Sequence, residues 1–366
     1  MLARRLRSLV GQRGWLVAAV LALAACHGAK SEPAAAAGKG GGGGEAAAEN
    51  KPVVDQKIAS AMAAAARSED KSARGGEGQP PADGILGEDG AQRELPAGSP
   101  AQLVLGSNGA EPRVRLGAAR PSNGPSGTLQ LSYRSGGSVM PTVDLDFKAL
   151  DFKGRAEGAG GAAATGSALR FSFVNARPAA DQPGRLPENA RAEIAKLKGS
   201  SVDFLSAPQG GVQSERFQVS GNNPMLQPLV QGSAVALAAL ALPYPEAPVG
   251  AGAYWMVKSR ELAEGADVVA YRMVKLTELA QNVAQLTVTT RRYLITPQIA
   301  LEGLPPHHVR QFKSEGNAKL SLPVGAAFPT SAEVQEQFAT LVAPDSSPQQ
   351  SFPVQSALEA KLSIAP

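Results

Sequence analysis

Apolar and polar residues alternate along short stretches of the chain from Leu103 to Ile364. Alternation with a period of two places the apolar side chains of a β-strand on one face of a sheet and the polar ones on the other. Gly, Pro or Asn separates most of these stretches, as expected for turns between short strands. Nine positions are expected to form one apolar face: Leu129, Leu131, Tyr133, Val143, Leu145, Phe147, Leu169, Phe171 and Phe173.

The alternating pattern predicts a mainly β fold built from antiparallel, twisted sheets, with two short helices in its first half. The sheets would form either a half-barrel closed by helices or two packed sheets. A pair of separate small sandwiches, joined at residues 243–248, is the alternative. Which of these arrangements forms depends on long-range strand pairing.

The first predicted helix covers residues 187–198. Pro187 suits the first position of a helix, and Ile194 and Leu197 would share one buried face with Ala190. Gly199 follows where a C-terminal cap is expected. This helix offers only modest side chains for covering the apolar face of a sheet.

The second helical segment covers residues 225–242 and is apolar nearly all round. We expect Pro228 and Gly232 to prevent it from forming one straight helix. A segment of this composition suits burial between a sheet and another layer. It would either complete a dry core or form the wall of a cavity, in which Ala236 and Ala239 leave room for an acyl chain.

The N-terminus has the order of a secretion signal. Residues 1–13 contain four arginines and no acidic residue, and an apolar run follows from Trp15 to Ala25. That run is too short for a permanent membrane span, which needs roughly 20 residues. Ordinary secretion, with cleavage after Ala24, is one interpretation.

The run ends in Leu23-Ala24-Ala25-Cys26, where small side chains precede the one cysteine of the chain. This sequence resembles the lipobox of bacterial lipoproteins. The resemblance implies that residues 1–25 are a lipoprotein signal peptide and that the sulfur of Cys26 carries lipid, so that the membrane is a partner. His27 is not the aspartate that some bacteria read as an inner-membrane retention signal. The cell envelope, with the outer membrane favoured over the inner membrane, is therefore the expected location.

Residues 26–97 are rich in Ala, Gly, Glu, Lys and Pro and contain few large apolar residues. Such a composition predicts a disordered tether, because it buries too little surface to offset the entropy of ordering. The β-rich domain would then cover residues 98–366, in two halves, 98–242 and 243–366.

A proline-rich stretch between the two halves ends in Gly252-Ala253-Tyr254-Trp255. It resembles the joint, ending in Gly-x-x-Trp, of an uncharacterised family of bacterial secreted lipoproteins. The resemblance implies a β-rich half on each side of the joint and supplies no activity or site. Tyr254 departs from that family, which has a polar residue at this position.

The charge balance argues against nucleic acid as a partner. The chain has 36 Lys and Arg against 32 Asp and Glu, a formal net charge of +4. The four arginines of the signal account for this excess, so the remainder is neutral and would not attract a polyanion.

Candidate chemistry is sparse, and no catalytic residue, metal or cofactor is predicted. The three histidines, His27, His307 and His308, are too few and too scattered for a histidine-based metal site. Asp144 and Asp146 are expected on an outward, polar face of a strand. One local basic cluster could hold a lipid head group or an acidic envelope polymer, with scattered surface charge as the alternative: Arg291, Arg292, His307, His308, Arg310 and Lys313.

The sequence as a whole favours a membrane-anchored envelope lipoprotein with a non-enzymatic binding or structural role. Another envelope component or a hydrophobic ligand is a candidate partner. A carrier of lipid or acyl chains in a sheet-lined cavity is the alternative function. A hydrolase with an unrecognised site is least favoured, because no nucleophile motif is present.

Overall fold

The structure, a computed structural model, describes residues 81–97, 99–117, 123–135, 138–157, 163–180, 186–206, 212–220, 226–238, 242–263, 266–299, 307–326 and 328–364. The predicted signal peptide, Cys26 and residues 26–80 of the predicted tether lie outside the described residues. Within them the elements follow in this order: α1 (Gly87–Glu94), β1 (Gln102–Ser107), β2 (Asn123–Ser135), β3 (Ser138–Val139), β4 (Val143–Glu157), β5 (Ala163–Pro178), α2 (Glu188–Ala195), β6 (Ser201–Ser206), β7 (Val212–Gln218), α3 (Gln227–Ala238), β8 (Tyr254–Ala263), β9 (Ala266–Ala280), β10 (Val283–Leu294), β11 (Gln298–Ile299), β12 (His307–Pro323), β13 (Ser331–Pro344) and β14 (Phe352–Ile364).

These strands form one antiparallel sheet. The strand order is β1-β8-β9-β10-β12-β13-β14-β2-β4-β5-β6-β7, and β3 and β11 add to β2 and β12. The mainly β, antiparallel fold is therefore confirmed. The end strands β1 and β7 do not pair with each other in the described part of the chain, so the sheet is open.

The two halves share this sheet, and the alternative of two separate sandwiches is wrong. Strand β14 pairs with β2 from Ser356 to Ile364, and β1 pairs with β8 at the other end. The joint is also tied to the first half, because Val249 and Val114 exchange both backbone hydrogen bonds, at 2.8 and 2.9 Å. Residues 98–242 and 243–366 are therefore not independent units.

The nine predicted positions do form one apolar face, since each is at most 5% exposed. Helix α3 covers this face and contacts β2, β14, β6 and β7. The sheet curls around the helix, and Cα atoms of β7 and β8 come within 8 Å. A half-barrel closed by a helix describes this arrangement better than two packed sheets.

The predicted break in the segment 225–242 is wrong, because α3 runs as one helix from Gln227 to Ala238. Pro228 is tolerated because it lies in the first turn, where a backbone N–H has no partner within the helix. Gly232 faces the sheet, where an added Cβ would lie 3.1 Å from Leu358 Cδ1. Glycine thus lets the helix backbone approach the sheet closely.

The other predicted helix is confirmed as α2, which begins directly after Pro187. Ile194 and Leu197 are buried, and α2 packs against β5. Gly199 has a φ of +90°, a conformation that suits glycine at the end of a helix.

Residues 81–97 were expected in the tether, but the structure shows them packed against the sheet. Strands β10 and β12 separate after the pair Arg292 and Ser314, and the backbone of residues 83–86 enters the split between them. The Leu86 amide donates to the Leu294 carbonyl at 2.8 Å, and the Phe312 amide donates to the Asp83 carbonyl at 2.9 Å. This segment fills a gap in the sheet, so the folded domain begins before residue 97.

Helix α1 follows this insertion and lies on the convex face of the sheet, which is the face opposite to α3. Ala91 is fully buried against Val269 and Ile295. The Glu94 carboxylate accepts hydrogen bonds from Lys258 Nζ at 2.6 Å and from the Tyr271 hydroxyl at 3.0 Å. The composition of residues 81–97 concealed this packing, because only a few apolar side chains, among them Ile85, Leu86 and Leu95, achieve it.

Trp255 anchors the end of the proline-rich joint in the core. Its side chain is fully buried, and Nε1 donates to the Pro243 carbonyl at 3.2 Å. The hydrogen bond joins the two ends of the joint and satisfies the polar edge of a buried ring.

Candidate functional site

The concave face of the sheet, which α3 covers, changes from apolar to polar and back to apolar along strand β10. Ala284, Leu286 and Val288 belong to the large core under α3, whereas Leu294 belongs to a smaller apolar cluster at the other end. Between them, Thr290 and Arg292 are buried on the same face. A polar layer therefore separates the two apolar clusters.

Four charged side chains from four strands meet in this layer, and we call them the ionic belt: Glu261 of β8, Arg272 of β9, Arg292 of β10 and Glu336 of β13. Arg272 Nη2 lies 2.5 Å from Glu261 Oε2, and Arg292 Nε lies 2.7 Å from Glu261 Oε1. Arg292 also contacts Glu336 at 2.5 Å. The chain of contacts alternates in sign, so the formal charges cancel.

Hydroxyl groups complete part of this network. Arg272 Nη1 donates to Ser259 Oγ at 2.7 Å, and Arg292 Nη1 lies 3.4 Å from Ser314 Oγ. Arg272 Nε is buried and makes no hydrogen bond. Such a network holds neighbouring strands in one register, because shifting any strand would leave a buried charge unpaired.

Contacts within the ionic belt shift the pKa values of two of its members and keep them charged. Burial alone would raise the pKa of Glu261, but the guanidinium groups of Arg272 and Arg292 outweigh it and lower that pKa to about 2. Burial would lower the pKa of Arg292, but the Glu336 and Glu261 carboxylates raise it. Glu261 and Arg292 therefore remain charged at neutral pH.

A cavity of about 20 Å³ lies between the belt and α3. Val235 of α3 lines it on one side, and Arg292, Ser314 and Glu336 line it on another. This volume suits one water molecule with several polar partners, and an acyl chain would not fit.

The sheet divides the predicted basic cluster between its two faces. Arg292 and His307 are 6% and 3% exposed, and the His307 ring packs against Phe352. Arg291, His308 and Lys313 are exposed on the opposite face. Neighbouring residues of a strand point to opposite sides, so these six residues do not form one surface patch.

The remaining members of the cluster have ordinary surface contacts. Lys313 Nζ lies 3.2 Å from a Glu315 carboxylate oxygen, and Arg310 donates to the Pro348 carbonyl. Sequence reasoning missed the belt because it read Arg292 as a surface charge. The available signal was its position two residues before buried Leu294 in a strand of period two.

Asp144 and Asp146 lie on the outward face of β4, as predicted. Asp146 accepts hydrogen bonds from Thr128 Oγ1 at 2.8 Å and from Asn175 Nδ2 at 3.0 Å, and Arg177 also donates to it. Burial would raise the pKa of Asp146, but the bonds from Asn175, Arg177 and Thr128 lower it. These carboxylates stabilise pairing between strands.

Within the described ranges, no three His, Cys, Asp or Glu side chains are grouped in a way that could hold a metal ion. In the same ranges, each helix is too short or too polar to cross a lipid bilayer. Cys26, the predicted lipidation site, lies outside these ranges.

The chain matches no model of a known protein family and has no significant match among curated proteins. The resemblance of the proline-rich joint to secreted lipoproteins therefore stays a prediction.

Proposed function

We propose that the chain is an envelope lipoprotein, held at a membrane by lipid on Cys26, whose β-rich domain has a non-enzymatic structural or binding role. The N-terminal sequence supports the anchor, because an arginine-rich segment, a short apolar run and Leu23-Ala24-Ala25-Cys26 stand in the order that lipid attachment needs. The residue after the cysteine, His27, favours the outer membrane. Another envelope component is the candidate partner.

The position of α3 carries the argument for a structural or binding role. Leu229 and Val230 are fully buried, Leu237 is 1% exposed, and Gly232 brings the helix backbone onto Leu358. The chain itself therefore occupies the apolar face that a hydrophobic ligand would need. A filled interior of this kind supports a structural domain over a carrier of lipid or acyl chains.

The polar groups support the same proposal. The acidic side chains Asp144, Asp146, Glu261 and Glu336 all accept hydrogen bonds from donors on other strands of the sheet. Side chains engaged in this way hold the sheet together, which favours a non-enzymatic role over a hydrolase.

Metabolic labelling with an alkyne fatty acid tests the anchor. We expect the natural chain to be labelled and to remain with membranes after a salt wash. Cys26→Ser should lose the label and the firm attachment, because stable anchoring needs more than one acyl chain. Retention of either property by the serine variant would overturn the anchor.

Mass spectrometry of the purified Cys26→Ser protein tests the role of the domain. We expect no lipid to co-purify in stoichiometric amount, since α3 fills the concave face. A stoichiometric lipid, together with displacement of α3 on lipid binding, would favour the carrier. The Cys26→Ser background prevents covalently attached acyl chains from being counted as ligand.

A further inference from the structure

An apolar row crosses the convex face near the edge of the sheet. Val104 of β1 pairs with Met256 of β8, which pairs with Met273 of β9, so the three side chains lie side by side. Val104 is 57% exposed and Met273 is 45% exposed. Tyr254, 43% exposed, stands two residues from Met256 on the same face. We call these four residues the convex patch.

A cation borders the convex patch. Lys275 pairs with Tyr254 in the register of β8 and β9, and it is exposed. Within the described residues, Lys275 has no ion pair. The combination of an aromatic hydroxyl, flexible apolar side chains and a lysine is typical of surfaces that settle into the head-group region of a bilayer.

Helix α1, which follows the predicted tether in the sequence, lies on the same side of the sheet. Lys258 and Tyr271 form the next outward pair after Met256 and Met273 along β8 and β9. Both of them bind Glu94 at the end of α1. The C-terminal end of α1 is therefore fixed directly beside the convex patch.

We propose that the convex patch rests on the anionic lipid surface of the membrane to which the chain is anchored. This inference rests on the proposed function, which brings a membrane within reach through residues 26–80. Anchoring raises the local concentration of lipid at the domain, so a weak contact is sufficient. Lys275 attracts the anionic head groups, and Val104, Met273 and Tyr254 enter the interface between head groups and acyl chains.

Vesicle co-sedimentation tests the proposal on the chain from residue 26 with Cys26→Ser. Vesicles of phosphatidylcholine with a quarter phosphatidylglycerol are compared with pure phosphatidylcholine. We expect weak but measurable binding to the acidic vesicles. Adding Val104→Asp and Met273→Asp should lower the partition coefficient at least about tenfold, since two apolar contacts are lost and two repelled charges are added. Lys275→Gln should weaken binding to the acidic vesicles alone.

Leu150→Asp is the matched control, because Leu150 is 50% exposed on the outward face of β4 at the far side of the sheet. It should bind vesicles like its parent, and thermal melting should show that all variants remain folded. Equal binding by the Val104→Asp, Met273→Asp variant and its parent would overturn the proposal. So would concentration-dependent dimerisation that this variant abolishes without any vesicle binding, which would assign the patch to a second copy of the chain.

A photo-crosslinker at Met273 provides an independent readout. Crosslinks to lipid are expected in acidic vesicles, whereas crosslinks to residues 26–80 would mean that the tether covers the patch and would overturn the proposal. All these proteins lack Cys26, so their behaviour does not depend on lipidation. Failure of the anchor, seen by fatty-acid labelling of the natural chain, is thus distinguishable from failure of the patch.

Discussion

Arg292 reaches across strand β12 to contact Glu336 on β13, through bonds of 2.5 and 3.3 Å. Gly316 of β12 stands opposite Glu336 in the sheet, and a Cβ there would lie 2.2 Å from the Glu336 carboxylate. The absence of a side chain at Gly316 is what leaves room for the bridge. One glycine and one ion pair, on three neighbouring strands, thus depend on each other.

Gly316→Ala should therefore destabilise the domain by about 1–3 kcal/mol, the usual cost of overpacking a filled interior. Urea unfolding followed by tryptophan fluorescence measures the change. In a Glu336→Ala background the obstructing carboxylate is gone, and the same glycine substitution should cost much less. Equal costs in both backgrounds would show that Gly316 and Glu336 are not coupled.

Removing the central carboxylate of the ionic belt should cost more than removing a surface one. Glu261→Gln leaves two buried arginines facing each other with one partner lost, and we expect a loss of about 3–5 kcal/mol. The control is Glu359→Gln, which breaks an exposed pair with Arg134 at 3.6 Å and should change stability by about 0–1 kcal/mol. Chemical unfolding of the two variants under one set of conditions compares them.

The ionic belt should also make stability depend on pH. The pKa of Glu261 is about 2 in the folded protein against an ordinary value of 4.5. A folded pKa below the unfolded one adds stability that is present above pH 4.5 and is lost as the pH falls toward 2. The difference between the two pKa values corresponds to about 3 kcal/mol.

Unfolding measurements at pH 6 and pH 3 check this dependence. The parent should lose more stability between these two values than Glu261→Gln, which has no titrating group at this position. Other carboxylates, including Asp146, titrate equally in both proteins and cancel in the comparison. An identical loss in both would mean that Glu261 is not held ionised by Arg272 and Arg292.

Much of the fold could be predicted from local sequence, because the alternation of apolar and polar residues in a strand identifies its buried face. The apolar face that begins at Leu129 follows from alternation alone, and α2 follows from Pro187 and Gly199. The pairing of β14 with β2 could not be predicted in this way. Alternation shows which face of a strand is buried, but it does not show which other strand lies beside it. Register between distant strands is decided by packing of the whole sheet.

The ionic belt was harder to predict for a similar reason. An arginine in a strand is usually a surface residue, and its burial is decided by partners elsewhere in the chain. The partners of Arg292 are Glu261 and Glu336, 31 and 44 residues away. The insertion of Asp83 and Gly84 between β10 and β12 could not be predicted either. The separation of two paired strands produces no recognisable pattern in the sequence of either strand.

Packing of α3 against the sheet gives a direct test of the filled interior. Ala236 is 1% exposed, so Ala236→Leu should overpack the core and cost about 1–3 kcal/mol. The control is Ala280→Leu at an exposed position of β9, which should be close to neutral. Unchanged stability at Ala236, with binding of a fluorescent fatty acid by the parent that the leucine abolishes, would instead indicate a ligand cavity.

The insertion of the chain into the sheet can be tested at Gly84. This residue has a φ of +75°, and a Cβ would lie 1.8 Å from the Phe312 carbonyl oxygen, so alanine cannot be accommodated without movement of the backbone. Gly84→Ala should release residues 83–86 from the split between β10 and β12. The amides of Leu86, Leu294 and Phe312 donate the hydrogen bonds at this insertion, so their hydrogen exchange should become faster.

Gly87→Ala provides the control, because Gly87 also has a positive φ, of +74°, but an added Cβ would meet nothing within 4 Å. Both variants carry the backbone strain of a left-handed residue, and only Gly84→Ala adds the collision with Phe312. Protection of the Phe312 amide should therefore fall in Gly84→Ala and remain near the parent value in Gly87→Ala. Equal protection in the two variants would mean that the close approach of Gly84 to Phe312 does not hold the inserted segment in the sheet.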